Sequence, residues 1–203
     1  MRILPAGPHA LLLECADAGE VAAWHAALGR AGAAPAGAEL VPGARTILID
    51  GLAAPDALAG ALTGWSPTEV AADPRSDRLV TIPCRYDGPD LADVAELWDT
   101  TVDGVVARHA GTEFRVAFCG FSPGFAYLTG LPDHLAVPRR ESPRPRVPAG
   151  SVGLAGEYSA VYPSESPGGW QLIGRTTTVL FDPTTDPPAL LTPGTRVRFE
   201  LAR

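Results

Sequence analysis

The sequence predicts an α+β protein in two domains: a small split-βαβ (ferredoxin-like) domain over residues 1–77 and a β-barrel domain over residues 78–203. Three observations lead there. Short strand-like runs outnumber helical ones, especially after Phe114. The chain of 203 residues holds 22 Gly and 21 Pro, about a fifth of its length and well above average usage, which favours turns. Residues 66–78, with Pro67, Pro74 and several charges, read as a linker between two differently patterned halves.

In the first half, Ala10-Leu11-Leu12-Leu13-Glu14-Cys15 is a short apolar strand. Asp17 can cap the helix that follows. Val21, Trp24 and Leu28 fall on one face of a 3.6-residue repeat, and Gly29 and Gly32 end it. Residues 39–50 read as two strands around the Pro42-Gly43 turn. Pro55 opens a second helix through Leu58 and Leu62, stopped by Gly64. This β-α-β-β-α order, with a closing strand, suggests the split-βαβ sandwich.

In the second half, residues 79–84 start a new strand. Pro89 sits in the first turn of a helix with Leu91, Val94, Ala95 and Trp98 apolar. Thr100 and Asp103 have capping-box spacing before Val105-Val106. Gly111 fits the residue just past that helix and places His109 in its last turn, where a cation is favoured. Strands are expected at 115–119, 151–155, 169–174, 178–181 and 195–201. Short strands between Pro/Gly turns point to a closed or nearly closed barrel.

Composition excludes several chemistries. The formal charge is −7, and all 16 basic residues are Arg. Without Lys there is no Schiff base and no P-loop lysine. The acidic balance argues against nucleic-acid binding. No apolar run approaches the ~20 residues of a membrane span, and Pro5, Gly7 and Pro8 interrupt any signal-peptide core. Cys15, Cys84 and Cys119 are odd in number and form no CxxC pair. They suggest a reducing, cytoplasmic setting with three buried thiols. The acidic residues show no metal-ligand spacing, so no metal is expected.

Four segments carry candidate chemistry. In Phe118-Cys119-Gly120-Phe121-Ser122-Pro123-Gly124-Phe125-Ala126-Tyr127-Leu128, four aromatics are threaded by Gly-Pro-Gly. Glycine amides can approach a ligand closely, so Phe121, Pro123, Gly124 and Phe125 are candidate loop or partner contacts. The alternative is an aromatic-packed corner. In residues 138–148, four arginines (Arg139, Arg140, Arg144, Arg146) face one acid, Glu141, inside an acidic chain. Their forks suit a carboxylate or phosphate, although a solvated, Pro-stiffened loop would look alike. Around Ser151 a nucleophile elbow fails, because GxSxG needs Gly where Ala149 stands. Ser151 stays a candidate hydrogen-bond donor to substrate. In residues 162–176, Gly168-Gly169 allows a tight approach, after which Trp170 and Gln171 point to opposite faces. Trp170 is expected in packing and Gln171, with Arg175, near a ligand. His109 can move a proton near neutral pH. A dyad with Cys119 would require the two to meet in space.

Taken in order, several blocks carry a family resemblance. They are Ile82-Pro83, Asp87-Gly88-Pro89-Asp90-Leu91, His109, the Gly120 to Leu128 run, Pro138-Arg139-Arg140, Pro143-Arg144 and Val147-Pro148-Ala149-Gly150-Ser151-Val152. Tyr162-Pro163, the Ser166 to Thr176 run, Leu180-Phe181-Asp182-Pro183 and the Pro193 to Phe199 run complete them. Together they resemble the allophanate hydrolase subunit 1 family. This is also the family of the B-type subunit of prokaryotic 5-oxoprolinase, and it includes the Kip-type inhibitor of a sporulation sensor kinase. Two departures are Cys119, where a small or aliphatic residue is expected, and residues 157–161, which replace a Gly/Gln/Thr-rich turn.

The resemblance implies a cyclophilin-like barrel as the second domain. It implies a C-type (Kip-A-type) partner protein with a related barrel, and a further A-type partner, in a complex that hydrolyses 5-oxo-L-proline to L-glutamate with ATP. The chain would then be part of a larger enzyme, inactive alone, forming half of a composite site. Arg139, Arg140 or Arg144 would hold the carboxylate, with Ser151, Tyr162, Gln171 and Arg175 near the substrate. His109 would be the proton carrier, and Gly168 and Gly169 would be loop or partner contacts. ATP would serve the complex, since no nucleotide motif stands in this chain. A sensor-kinase inhibitor and a carboxyltransferase-type component of urea and allophanate metabolism are the alternatives.

Overall fold

A computed structural model describes residues 1–30, 35, 37–65 and 78–202. They form two compact units, Met1–Asp77 and Arg78–Arg203. Except for Arg78, the expected linker at 66–78 lies outside the described residues, as does Gly32.

The first unit runs β1 (Arg2–Pro5), β2 (Leu11–Glu14), α1 (Ala18–Arg30), β3 (Glu39–Pro42), β4 (Thr46–Asp50) and α2 (Pro55–Leu62). Its sheet has the order β1-β2-β4-β3 with every neighbour antiparallel. Hence β2 and β3 run the same way with β4 between them. The edge beside β2 is taken by β1, which precedes it in the chain, rather than by a strand after α2. Its Pro5 reads as a breaker in sequence, but proline is tolerated on an edge strand, where it need not donate to the ladder. Asp17 Oδ1 accepts from Glu20 N at 2.8 Å and caps α1. Val21, Trp24 and Leu28 of α1 bury against Leu11, Leu13, Ile47 and Ile49.

The second unit runs β5 (Leu79–Cys84), α3 (Leu91–Leu97), α4 (Val102–Gly111), β6 (Glu113–Cys119), β7 (Ala126–Thr129) and a 3₁₀ turn (Asp133–Leu135). Then follow β8 (Arg144–Val147), β9 (Ser151–Ala155), β10 (Tyr158–Val161), β11 (Ser166–Gly168), β12 (Gln171–Arg175) and β13 (Arg196–Leu201). Seven strands form one sheet in the order β12-β9-β10-β7-β6-β13-β5, while β11 and β8 form a separate ribbon. Only β13 and β5 pair in parallel. The two edges of the large sheet meet. Arg85 and Arg175 exchange both backbone hydrogen bonds at 2.8 Å, and Gly88 N and Asp90 N donate to Ile173 O and Leu172 O. The result is a nearly closed barrel in an α+β chain. One core fills it around Phe114, Phe199, Val152 and Ile173. A second cluster, with Phe125, Tyr162, Trp170 and Leu172, covers the other face. Every residue of β9 is buried as a result.

Several expected details change. The α4 cap is Thr101, whose Oγ1 accepts from Gly104 N at 3.1 Å, one residue past Thr100. Gly111 is the last helical residue, with Thr112 as cap. Residues 178–181 do not form a strand. Only Phe181 pairs there, by an isolated bridge to Ala189. Within residues 157–161, which replace the turn usual in the family, Tyr158–Val161 forms β10. Residues 144–147, expected as a loop, form β8 because the ribbon partner β11 supplies the ladder. Cys119 is half-buried rather than buried. Among the described residues, no helix is long and apolar enough to cross a membrane.

Candidate functional site

The site is assembled on the barrel seam. Gly88 has no side chain, so the 87–90 turn can press against β12, where a Cβ would overlap Leu172 O and Ile173 C. This delivers the Asp90 carboxylate, 2% exposed, to the centre of three donors. Arg140 Nη1 and Arg144 Nη2 donate to Oδ1 at 2.8 and 2.6 Å, and Leu172 N donates to Oδ2 at 2.6 Å. Arg140 N donates to Gly169 O at 2.8 Å, and Gln171 Nε2 donates to Pro138 O at 3.2 Å. These bonds fasten residues 138–140 alongside 169–171.

A cleft of about 630 Å³ opens beside this seam. Asp93, Glu96 and Leu97 of α3 line one side, and Pro138, Arg139, Arg140, Glu141, Ser142 and Gln171 line the rest. Arg139 is exposed and has no ion pair among the described residues. Arg140 is held on Asp90 through Nη1. Two polar atoms here are buried without a hydrogen-bond partner, Gln171 Oε1 and Arg140 Nε. A cleft with a free guanidinium at its exposed rim fits a small carboxylate better than an apolar ligand.

The structure gathers some expected residues and separates others. Arg139, Arg140 and Gln171 share the cleft, and Arg144 stands behind it on Asp90. Arg175 is on the seam's outer side, ion-paired with Asp87 at 2.8 Å. Ser151 is buried and turns back to Pro148 O at 2.8 Å. Tyr162 is buried edge-on to Phe125 at 5.2 Å, and burial raises its hydroxyl pKa. Gly168 is required beneath that ring, since a Cβ would overlap the Tyr162 hydroxyl. Trp170 packs as expected. Phe125 is buried while Pro123 is exposed, and Gly124 at φ 83 packs on Phe181. Phe121 is 62% exposed in the left-handed region, φ 69.

His109 is revised. It is fully buried, with Nδ1 bonded to the Tyr86 hydroxyl at 2.7 Å and Nε2 to Ser159 Oγ at 2.9 Å. Phe114 and Phe199 pack on the ring. Desolvation pushes its pKa down to about 3, so it is neither a helix-end cation nor a carrier open to substrate. Nor does it pair with Cys119, whose thiol points to Leu191 O and is pushed up to about 11 by burial.

Asp90 is the residue of this cluster that sequence reasoning misses. Pro89 draws attention to helix initiation, and the carboxylate's arginine partners stand at least fifty residues away. Its signal is the pair of acids bracketing Gly88-Pro89, together with the unmatched arginines of 138–148.

Against known proteins, the model of the carboxyltransferase domain, subdomain C and D, matches residues 1–191. The chain belongs to this family. Its curated relatives include the 5-oxoprolinase B subunit of Escherichia coli O157:H7, 46% identical over 79% of this chain and 76% of that protein. The 5-oxoprolinase B subunit of Bacillus subtilis (strain 168) is 47% identical over 60% of this chain and 52% of that protein. Among solved structures, TTHA0988 aligns at TM-score 0.78 with 36% identity, covering 96% of this chain and 40% of that one. The Kluyveromyces lactis urea carboxylase aligns at TM-score 0.68 with 21% identity, covering 99% of this chain and 22% of that one, and shares the fold.

Proposed function

We propose that this chain is the B-type subunit of a hetero-oligomeric, ATP-dependent 5-oxoprolinase. It works with a C-type (Kip-A-type) partner and an A-type partner, in the cytoplasm, and the complex hydrolyses 5-oxo-L-proline to L-glutamate. The observation that carries this reading is the 46% identity over 79% of the chain with a protein of that name. The cleft supports it chemically. Its exposed Arg139 suits the carboxylate of the lactam, and its polar wall suits a ring amide. The triphosphate of ATP does not fit here, because Arg139 and Arg140 face three carboxylates, Asp93, Glu96 and Glu141. In this reading another member of the complex handles ATP, and this chain binds and orients the lactam.

The test is reconstitution. The chain with its two partners, ATP and 5-oxoproline should release glutamate, and the chain alone should not. A full mixture that releases none removes the reading. The cleft arginine is tested by Arg139→Ala, which should raise KM about tenfold or more while kcat changes little, the worth of one charge-assisted contact. Arg140 is the poorer probe, since it is tied to Asp90 and its loss would also disturb folding.

A second reading, a sensor-kinase inhibitor, draws on Phe121, an aromatic left 62% exposed on a left-handed turn. Adding the chain to a histidine kinase should then slow autophosphorylation, and Phe121→Ser should abolish the effect. A carboxyltransferase role in urea metabolism draws on the description of the matching family model, while the solved urea carboxylase adds only a shared fold, which does not carry function.

A further inference from the structure

Ring contacts run without a break from a loop tip across three strands. Phe121 meets Phe125 edge-on at 5.2 Å, and Phe125 meets Tyr127 at 5.1 Å. Tyr127 stacks on Phe118 at 4.2 Å and meets Tyr158 at 5.6 Å. Exposure grades along this stripe. Phe125 is buried, Phe118, Tyr127 and Tyr158 are half-buried, and Phe121 is 62% exposed. Pro123, in the same loop as Phe121, is exposed too. None of these side chains is charged. The helices of this unit pack on other strands, α3 on β12 and α4 on β13.

The loop holds its tip at a cost. Ser122 N donates to Gly120 O at 2.8 Å, which closes a γ-turn around Phe121, and φ 69 puts that turn in its rare, strained form. Phe125 N donates to Ser122 O at 3.0 Å and Gly120 N to Phe125 O at 3.1 Å, so the turn is fastened on both sides. Gly124 seats the loop against Phe181 and Leu180. Glycine or asparagine would take this backbone with little strain. Phenylalanine keeps the strain and leaves most of its ring in water, so contacts among the described residues offset little of it. Strain kept at such a place points to a ligand or a partner.

Small ligands sit in concave sites. The cleft of about 630 Å³ and a second of about 430 Å³, lined by Arg108, Thr112, His134 and their neighbours, contain no residue of the stripe. A rigid, uncharged aromatic projection has instead the make-up of an interface anchor, which fills an apolar pocket on another protein. The relatives bear on which protein. TTHA0988, 36% identical, devotes only 40% of its length to this fold, so more than half of that chain lies beside it. The curated relatives are B subunits, each one part of a larger enzyme. We infer that the stripe of Phe118, Phe121, Tyr127 and Tyr158 docks another subunit of the hydrolase, the counterpart of that further chain, with Phe121 as the anchor. This rests on the hydrolase reading above for the existence of that subunit and adds the surface that binds it. Because the turn is already fastened, docking loses little loop entropy.

The test mixes the full chain with the partner subunits of the reconstituted hydrolase and measures their affinity without substrate. Phe121→Asn, which suits the left-handed turn, should keep the melting temperature of the isolated chain while weakening assembly by about tenfold or more. Leu201→Ser, a control at an apolar side chain 65% exposed at the last position of β13, should assemble as the wild type does. In the unaltered chain, hydrogen exchange within residues 120–125 should slow when the partner subunits are added, a readout that needs no variant. Assembly of Phe121→Asn at wild-type affinity overturns the inference. So does equal weakening by Leu201→Ser, or exchange within 120–125 that the partners leave unchanged. A Phe121→Asn chain that loses only self-association, or only the slowing of a histidine kinase, assigns the stripe to a second copy or to the kinase and overturns it as well. Glutamate release, measured separately, distinguishes the two levels. Turnover with Phe121-independent assembly sinks only this inference. Phe121-dependent assembly without turnover supports it and sinks the hydrolase reading.

Discussion

Asp90 ties the barrel seam together behind the cleft. Two guanidinium groups and a strand amide converge on one buried carboxylate. Removing it leaves two partly buried cations and one N–H without an acceptor, so Asp90→Ala should cost about 3 kcal/mol, the low end for a broken buried pair because both arginines keep some water contact. Urea denaturation at neutral pH checks the figure. His109 makes a different residue-level prediction. Burial holds its pKa at about 3 in the folded chain against 6.5 for a free imidazole. The unfolded chain therefore binds the extra proton between those values, and the stability present above pH 6.5 is lost as pH falls toward 3. From about pH 6.5 to pH 5 that amounts to about 2 kcal/mol. Denaturation midpoints at about pH 7 and pH 5 should show it, and His109→Gln, which keeps a donor and an acceptor, should remove most of the dependence. The histidine's helix position is legible in the sequence, but its burial is not. Phe114 and Phe199, which desolvate it, sit on strands that meet it only in three dimensions.

At the scale of elements, legibility follows period and punctuation. The α1 face of Val21, Trp24 and Leu28 and the apolar run of β9 can be read because local pattern and tertiary burial agree. Strands β8 and β10 cannot, since their charged or mixed residues become strand only through a partner: β11 for the first, β9 and β7 for the second. The 178–181 run has strand propensity and no partner beyond one bridge at Phe181. The seam depends on glycine in a way that makes a clean test. At Gly174 a Cβ would stand 2.6 Å from Arg85 O and 2.9 Å from Cys84 Sγ, both part of the opposing edge. Gly174→Ala should therefore cost about 1–3 kcal/mol as overpacking. It should also speed hydrogen exchange at the Arg85 and Arg175 amides before those of β9, and uniform slow exchange would show that the seam tolerates the methyl.

At the scale of the whole chain, the two units differ in what they can bury. All seven strands of the barrel, the bonds that close it and every cleft residue come from the second unit. Its interior is lined on one side by a continuous core and backed by an aromatic cluster on the other. Among its described residues the first unit has four short strands, two helices and one small core. Surface-to-volume scaling makes a domain of that size marginal, because a chain of about 60 residues hides only about 60% of the surface it exposes when unfolded. Expressed separately, residues 78–203 should fold, with slow exchange across β9 and an intact Asp90–Arg140–Arg144 cluster. Residues 1–77 should melt at a lower temperature. Calorimetry of the two fragments decides between this and the reverse order. A second-unit fragment that fails to protect β9 would mean that the barrel needs residues before Arg78, and the cleft would then have to be studied only in the full chain.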